Sequence, residues 1–326
     1  MSLSGAPTPA GVYLRELPDP LLPARASAGA AGRARRLQAF LGPLQRAAAA
    51  RFELHGRTEL WVVGHDDWPR VTSVPYGWPF TRTRPTPASA AGAEGPATAI
   101  VVAAEVPGRL LRRFEPVLLA AARAGVRAPT GPAGATLEEA FLARADAREL
   151  FDLVAGHEWG HALAIAAGLR TRVKWLDELL ATTLFLAALR EIGADDVLRR
   201  FLAWADVQVT GGAAAAEALP PRAGRGGRPP PAPRRDLGAF ETPRGRLRLP
   251  ELVWFQGTFA LRAWELVRAD GWSFAERLRG ELGTIAAGRG TIAAGRGPDA
   301  RGEVARALMR VEPGFRAWFR TFGDEA

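Results

Sequence analysis

The chain contains no cysteine and is poor in histidine and tyrosine, with four and two respectively among 326 residues. Without cysteine there are no disulfides, no thiol nucleophile and no thiolate ligands for zinc. Both tyrosines and two of the histidines precede residue 157, so neither residue type occurs after residue 161. The second half of the chain therefore cannot supply a phenol or an imidazole for catalysis.

Long apolar runs are also missing from the sequence. No run reaches about 18 residues without a charge, so we expect no membrane span. Residues 1–20 lack both a basic start and an apolar stretch, which argues against a secretory signal and makes a cytoplasmic protein the default expectation.

Lysine is nearly absent, and Lys174 is its sole occurrence. The net charge of +9 would ordinarily indicate an anionic partner. Here the charge is arginine in a chain also rich in Ala, Gly and Pro, a combination typical of high-GC coding, so we do not favour nucleic acid as the partner. With 48% hydrophobic residues, the chain is long enough to form one elaborated globular domain or two smaller ones.

The most specific feature is an HExxH pentapeptide, residues 157–161, with sequence His-Glu-Trp-Gly-His. On a helix, His157 and His161 share one face and can bind one metal ion together. Glu158 lies about 100° further round the helix, where it can take a proton from a metal-activated water. Flanking apolar residues predict a helix over 137–167 that is closed by Gly168. The alternative is a buried helix with purely structural histidines.

A catalytic zinc normally has three protein ligands, and no histidine follows His161, so we expect a carboxylate as the third. Residues 175–181 read Trp-Leu-Asp-Glu-Leu-Leu-Ala. Together with the pentapeptide, residues 150–189 resemble the gluzincin metallopeptidases, which include thermolysin-like enzymes and zinc aminopeptidases. The resemblance implies a Zn²⁺ cofactor bound by His157, His161 and Glu178, with Glu158 as the general base. Asp177 competes with Glu178, but an N-terminal helix position suits Asp177 better.

Two departures from the gluzincin pattern bear on activity. Thr182 occupies the place of an acid that orients a histidine in thermolysin-like enzymes, and Asp177 or Asp152 could replace that acid. The Tyr or His that stabilises the oxyanion in gluzincins has no counterpart downstream. Gln256, Arg262 or the metal alone could take this role, or the protein could be weak or inactive.

Three functions compete on this basis. The first is a zinc-dependent peptidase, with endopeptidase action slightly preferred, that hydrolyses amide bonds of a peptide or protein substrate. The second is a catalytically weak or inactive zincin-like scaffold that binds a peptide or protein. The third is an arginine-rich nucleic-acid-binding protein, for which the Arg/Gly stretch at 221–231 is the only support. The sequence does not indicate an oligomeric state.

The expected fold class is α+β and zincin-like, with a small N-terminal sheet followed by a mainly helical region. We divide the chain into an N-terminal arm with a small β-containing region, a helical zinc-binding core, a disordered Pro/Gly/Arg-rich insertion and a C-terminal helical region, at residues 1–107, 108–210, 211–236 and 237–326. Strands are predicted at 59–63, 71–74 and 97–104. The last is either a substrate-binding strand or a buried central strand.

Around these strands we predict an irregular arm at 1–31, a loop at 76–96 and a helix at 32–54 that is interrupted near Gly42 and Pro43. Further helices are predicted at 109–125, 175–192, 195–209, 250–270, 273–282, 298–311 and 313–322. The heptapeptide 284–290 repeats verbatim at 291–297 and is expected in a surface loop. Residues 65–67, His-Asp-Asp, read as a polar turn rather than a metal cluster, and Trp254 as a packing residue rather than a substrate subsite.

Overall fold

The computed structural model describes residues 12–84, 97–111, 147–171, 173–218, 236–241, 247, 249–289 and 298–322. The chain divides into two compact units. The first unit consists of Met1–Phe114, Asp146–Gly168 and Ala188–Ala194. The second unit consists of Glu115–Ala145, Leu169–Ala187 and Asp195–Ala326. The α+β class is confirmed, because a five-stranded mixed sheet lies near the N-terminus and helices predominate elsewhere.

The sheet contains five short strands, β1 Arg15–Leu17, β2 Ala24–Ala26, β3 Thr58–Val63, β4 Phe80–Arg84 and β5 Ala97–Ala103. Their spatial order is β1-β2-β3-β5-β4. Strands β2, β3 and β5 run parallel, and the outer strands β1 and β4 are antiparallel to their neighbours. The predicted strands at 59–63 and 97–104 are thus confirmed, and β5 is a central strand.

The described residues form the helices α1 Ala31–Ala49, α2 Trp68–Val71, α3 Ala147–Ala166, α4 Lys174–Glu191, α5 Asp195–Ala218, α6 Leu237–Glu241, α7 Leu249–Asp270, α8 Ser273–Arg289, α9 Pro298–Val311 and α10 Phe315–Arg320. Residues 108–111 are also helical. No helix of the described residues is long and apolar enough to cross a membrane. The predicted helix at 109–125 lies almost wholly outside the described residues, as does the predicted start of the motif helix.

Both faces of the sheet are covered, since β3 is buried along its whole length and β5 over all but its first residue. One face carries Trp61 and Val101, which form a buried cluster with Trp68 of α2. Helices α1 and α3 contact the strands β2 to β5. Leu60 and Ile100 are Cα partners and alternate with the clustered residues, so their side chains point to the opposite face, toward α1 and α3.

Several predicted boundaries in the first unit are wrong. The irregular arm contains β1 and β2, and the loop at 76–96 contains β4. Residues 71–74 do not form a strand. Val71 ends the short helix α2, which has Pro69 in its first turn, and Trp68 Nε1 donates to Val74 O at 2.6 Å. Helix α1 continues through Pro43. Its buried stripe, which includes Leu37 and Leu41, outweighs a proline cost of about 3 kcal/mol.

In the second unit, two helices are longer than predicted. Helix α5 extends to Ala218, into the segment predicted as disordered, and residues 219–235 lie outside the described residues. Helix α8 reaches Arg289 and so includes most of the first copy of the heptapeptide, which was expected in a loop. The second copy lies outside the described residues.

The core of the second unit is aromatic. Phe255 and Phe259 of α7 are fully buried, and both contact the ring of Phe240. Helices α5 and α7 pack so closely at Gly257 that a Cβ there would lie 2.6 Å from the carbonyl oxygen of Ala205. A larger residue at 257 would therefore force the two helices apart.

Candidate metal centre

Helix α3 carries the HExxH residues, and two features define its C-terminal end. Gly168 adopts a left-handed conformation with φ +72°, which is typical of the residue after a helix. The carbonyl of Ala166 accepts the His55 N–H at 2.8 Å. The predicted closure of the motif helix at Gly168 is thus confirmed, and one of its final carbonyls has a partner from another part of the first unit.

The side chains of His157, Glu158 and His161 converge on one point of α3. Their potential ligand atoms all lie within 4.8 Å of one another. The centroids of the two imidazole rings are 4.8 Å apart, and the ring planes are nearly perpendicular, at 86°. His157 is buried, and the other two side chains are half-buried. Among the described residues this is the one group of three or more such side chains able to hold a metal ion.

The donor set fits a zinc ion. Two imidazole nitrogens at helical spacing i, i+4 are common zinc ligands, and partial burial limits competition from water. A carboxylate oxygen of Glu158 lies within 4.8 Å of the ligand atoms of both histidines. The two histidines would supply two of the four zinc ligands, and the others must come from outside this group on α3.

Thr81 of strand β4 contacts the candidate base directly. Its Oγ1 lies 2.8 Å from Glu158 Oε2 and 2.7 Å from the main-chain oxygen of Glu158. A hydroxyl has one proton, so Thr81 donates to one of the two oxygens at a time. Sequence reasoning did not find Thr81, because a threonine 77 positions away in a short polar strand carries no recognisable signal.

Two further hydrogen bonds hold α3 against α1. Trp159 Nε1, inside the pentapeptide, donates to Gln45 Oε1 at 2.8 Å, and both side chains are buried. Arg33 Nη2 donates to Asp152 Oδ1 at 2.7 Å. Asp152, one of two candidates for orienting a histidine, therefore pairs with an arginine. These contacts, with that of Thr81, fix the rotation of α3 about its axis.

Glu178, the predicted third ligand, belongs to the second unit and lies in the first half of helix α4. Gln256 Nε2 of α7 donates to Glu178 Oε2 at 2.8 Å. Asp177 accepts hydrogen bonds from the main-chain N–H and the hydroxyl of Thr171, at 2.9 and 3.0 Å. This agrees with the interpretation of Asp177 as a residue of the helix N-terminus. Ligation by Glu178 stays a prediction.

The residues considered for oxyanion stabilisation have other contacts. Gln256 binds Glu178, as described. Arg262 Nη1 pairs with Glu265 at 2.7 Å, and its guanidinium lies over the ring of Phe315, 4.8 Å from the centroid. Arg262 thus links α7 to helix α10 of the same unit, and we assign it a packing role.

Tyr76 packs on the sheet face that carries Trp61, whereas α3 covers the other. Its hydroxyl accepts the Glu105 N–H at 3.3 Å, and burial raises its pKa. The His-Asp-Asp segment at 65–67 forms a turn, as expected, with an exposed His65 side chain. Trp254 contacts the rings of Phe255 and Phe322, which agrees with a packing role.

The chemistry available on α3 is thus two imidazole donors next to a carboxylate held by a hydroxyl. This set can bind a transition metal and accept a proton from a neighbouring molecule. A comparison of the chain with protein-family models, curated proteins and solved structures finds no match. A functional interpretation therefore rests on the residues of the site.

Proposed function

We propose that the protein is a zinc-dependent peptidase that hydrolyses amide bonds, with Glu158 as general base. The observation that carries this proposal is the convergence of His157, Glu158 and His161, whose ligand atoms lie within 4.8 Å of one another. Two imidazoles at this helical spacing lie on one face and can bind the same zinc ion. Zinc bound there would polarise a carbonyl and lower the pKa of a water molecule toward neutrality.

The residues of the chain divide the work as follows. His157 and His161 bind the ion, and Glu178 is the predicted third ligand. Glu158 takes a proton from the attacking water and passes it to the leaving amine, because its carboxylate is adjacent to the ligand atoms without needing to be a ligand. This division of roles also follows from the gluzincin resemblance.

Strand β4 supports a peptide as the substrate. In the described part of the chain it is the outer strand next to β5, and Thr81 of β4 contacts Glu158. An outer strand presents main-chain groups that an extended peptide can pair with. The predicted strand at 97–104 cannot serve in this way, since β5 lies between β3 and β4. An extended substrate favours endopeptidase action in a zincin-like fold.

A second candidate function is a zincin-like scaffold that binds a peptide without cleaving it. It is favoured by the absence of Tyr and His after residue 161 and by the contacts of Gln256 and Arg262, which engage Glu178 and Glu265. A nucleic-acid role has less support, because the Arg/Gly stretch at 221–231 lies outside the described residues. Cytoplasmic location stays a prediction.

Metal content and cleavage of a peptide library together test the proposal. We expect about one zinc per chain by elemental analysis, lost in the double variant His157→Ala, His161→Ala. His65→Ala is the matched control, since His65 is exposed outside the site, and it should keep its zinc. Library peptides should be cleaved internally, and Glu158→Gln should lower the rate about 100- to 10,000-fold with zinc retained.

The outcomes separate the candidates. Zinc bound without cleavage of any peptide indicates the scaffold, and absence of zinc after refolding with the ion contradicts both. A comparison of Glu178→Gln with Asp177→Asn tests the third ligand. We expect the first variant to lower zinc affinity about 10-fold or more and the second to leave it unchanged, and the reverse result would transfer the role to Asp177.

A further inference from the structure

Thr81 makes hydroxyl contacts in addition to the pairing of its strand with β5. It is the second residue of the short outer strand β4 and lies 77 positions before Glu158 in the chain. Its hydroxyl reaches two oxygens of Glu158, the main-chain oxygen at 2.7 Å and Oε2 at 2.8 Å. A single hydroxyl that contacts both the main-chain oxygen and the carboxylate of one residue restricts the conformation of that side chain.

The direction of the Thr81 side chain is set by the register of β4. Thr81 is the Cα partner of Ile100, and Phe80 is the partner of Val101. Neighbouring residues of a strand point to opposite faces, so Phe80 packs in the cluster around Trp61 and Thr81 points toward α3. Threonine is β-branched and has few rotamers, which makes its hydroxyl a rigid anchor.

Glutamate, by contrast, is a flexible residue. A free Glu158 carboxylate on α3 would sample several rotamers, and a general base acts only within hydrogen-bonding reach of the proton it takes. The Thr81 hydroxyl selects rotamers in which Oε2 lies near the Glu158 main-chain oxygen. A displacement of about 1 Å at a reacting group can cost 100-fold in rate, so this restriction matters for catalysis.

We propose that Thr81 is a positioning residue, whose hydroxyl fixes the direction of the Glu158 carboxyl group and ties it to strand β4. This inference rests on the proposed peptidase function. It predicts that the hydroxyl, and not the shape of the side chain, is the property that matters at position 81.

Thr81→Val tests the proposal because it removes the hydroxyl and keeps the shape, and Thr81→Ser restores the hydroxyl. Thr72→Val is the matched control in the same unit, since Thr72 is half-buried and its hydroxyl accepts the Val74 N–H at 3.1 Å, away from α3. We expect kcat on a cleaved library peptide to fall about 10- to 100-fold in Thr81→Val, with KM and zinc content unchanged. Thr81→Ser should recover most of the loss.

A second measurement does not depend on activity. In protein labelled with ¹³C at glutamate carboxyl groups, the NMR resonance of Glu158 is identified as the one that is present in the wild type and missing from Glu158→Gln. We expect it to shift or broaden in Thr81→Val and to stay near its wild-type position in Thr81→Ser and Thr72→Val. Circular dichroism and the melting temperature of each variant show whether it is folded. Thr81→Ala, which also removes the hydroxyl, replaces Thr81→Val if that variant does not fold.

The results separate this inference from the proposed function. An active wild-type protein in which Thr81→Val keeps its kcat, or changes KM alone, overturns the role of Thr81 and leaves the peptidase proposal standing. An unshifted Glu158 resonance in Thr81→Val also overturns it. A wild-type protein that binds zinc but cleaves no peptide overturns the peptidase and with it the catalytic role of Thr81.

Discussion

Helices α3 and α7 are similar in length, at 20 and 22 residues, but they are held in place by different means. On α3, Trp159 and Glu158 each have a hydrogen-bonding partner from another element of the first unit. On α7, Gly257 allows close approach to α5, and Phe255 and Phe259 fill the core. Hydrogen bonds are directional, so they fix the rotation of a helix, whereas packing mainly fixes its distance from neighbours.

This difference matches what each helix must do. The zinc-site proposal requires His157 and His161 to face one point, which a small rotation of α3 would disturb. Helix α7 needs a fixed separation from α5, and the aromatic core supplies it. Substitutions of the packing residues Gly257, Phe255 and Phe259 of α7 should therefore act mainly on stability. Substitutions of the polar partners of α3 should act on stability and on the site together.

The largest effect on stability is expected at Gly257. Gly257→Ala places a Cβ 2.6 Å from Ala205 O and 2.7 Å from Gln208 Cβ, and because one of these is a backbone atom the helices must move apart. We expect a loss of about 3 kcal/mol in the free energy of unfolding, measured by urea denaturation. Zinc content of the folded fraction should not change.

Gly283→Ala in α8 is the matched control, since no atom lies within 4 Å of a Cβ there. An alanine inside an exposed helix should stabilise the protein by about 0.5 to 1 kcal/mol. Equal effects of the two substitutions would show that helix propensity, and not the close approach of α5 and α7, decides the cost at position 257.

The second prediction tests the polar support of α3. Gln45→Leu leaves the buried Nε1 of Trp159 without its acceptor, and we expect a loss of about 2 kcal/mol in the free energy of unfolding. The double variant Gln45→Leu, Trp159→Phe removes both partners and should recover part of this loss. Additive losses in the double-mutant cycle would show that the two side chains do not interact, and α3 would then resemble α7.

The smallest effect is expected at Asp206 of α5, whose pKa is raised above 3.8 by burial. In the unfolded chain, the Asp206 carboxyl group therefore loses its proton at lower pH than in the folded protein. The contribution of Asp206 to the free energy of unfolding thus falls as pH rises from below 3.8 through the pKa of the folded state. Asp206→Asn should be more stable than the wild type at pH 7 and little different at pH 3. A difference that does not change with pH would contradict the assignment.

The sequence predicted the parts of the fold that have strong periodicity or long apolar runs. Strands β3 and β5 each contain an apolar run, at 60–63 and 99–103, and helix α4 matches its predicted range within one residue at each end. Strand β4 was missed because its sequence, Phe-Thr-Arg-Thr-Arg, lies in a Pro/Thr-rich region. Such a strand forms because β5 offers a partner, and pairing over distance leaves little trace in local sequence.

For the candidate site, local spacing was enough to predict that His157, Glu158 and His161 converge, because helical geometry alone brings i and i+4 together. The partners of this group come from distant segments. Thr81 and Gln45 reach α3 only through the register of β4 and the packing of α1, and neither has a sequence pattern of its own. Glu178 was inferred from a resemblance, and its ligation awaits the zinc-affinity measurement.

The position of β4 at the edge of the sheet has a consequence for solubility. An exposed edge strand can pair with the same strand of another molecule and start aggregation. Strand β4 has only five residues, and two of them, Arg82 and Arg84, are positively charged. An antiparallel pair of β4 strands centred on Arg82 would place the two Arg82 residues opposite each other, and the like charges would repel. No strand of the described residues pairs with the outer side of β4, so charge is the feature that we expect to oppose self-association at this edge.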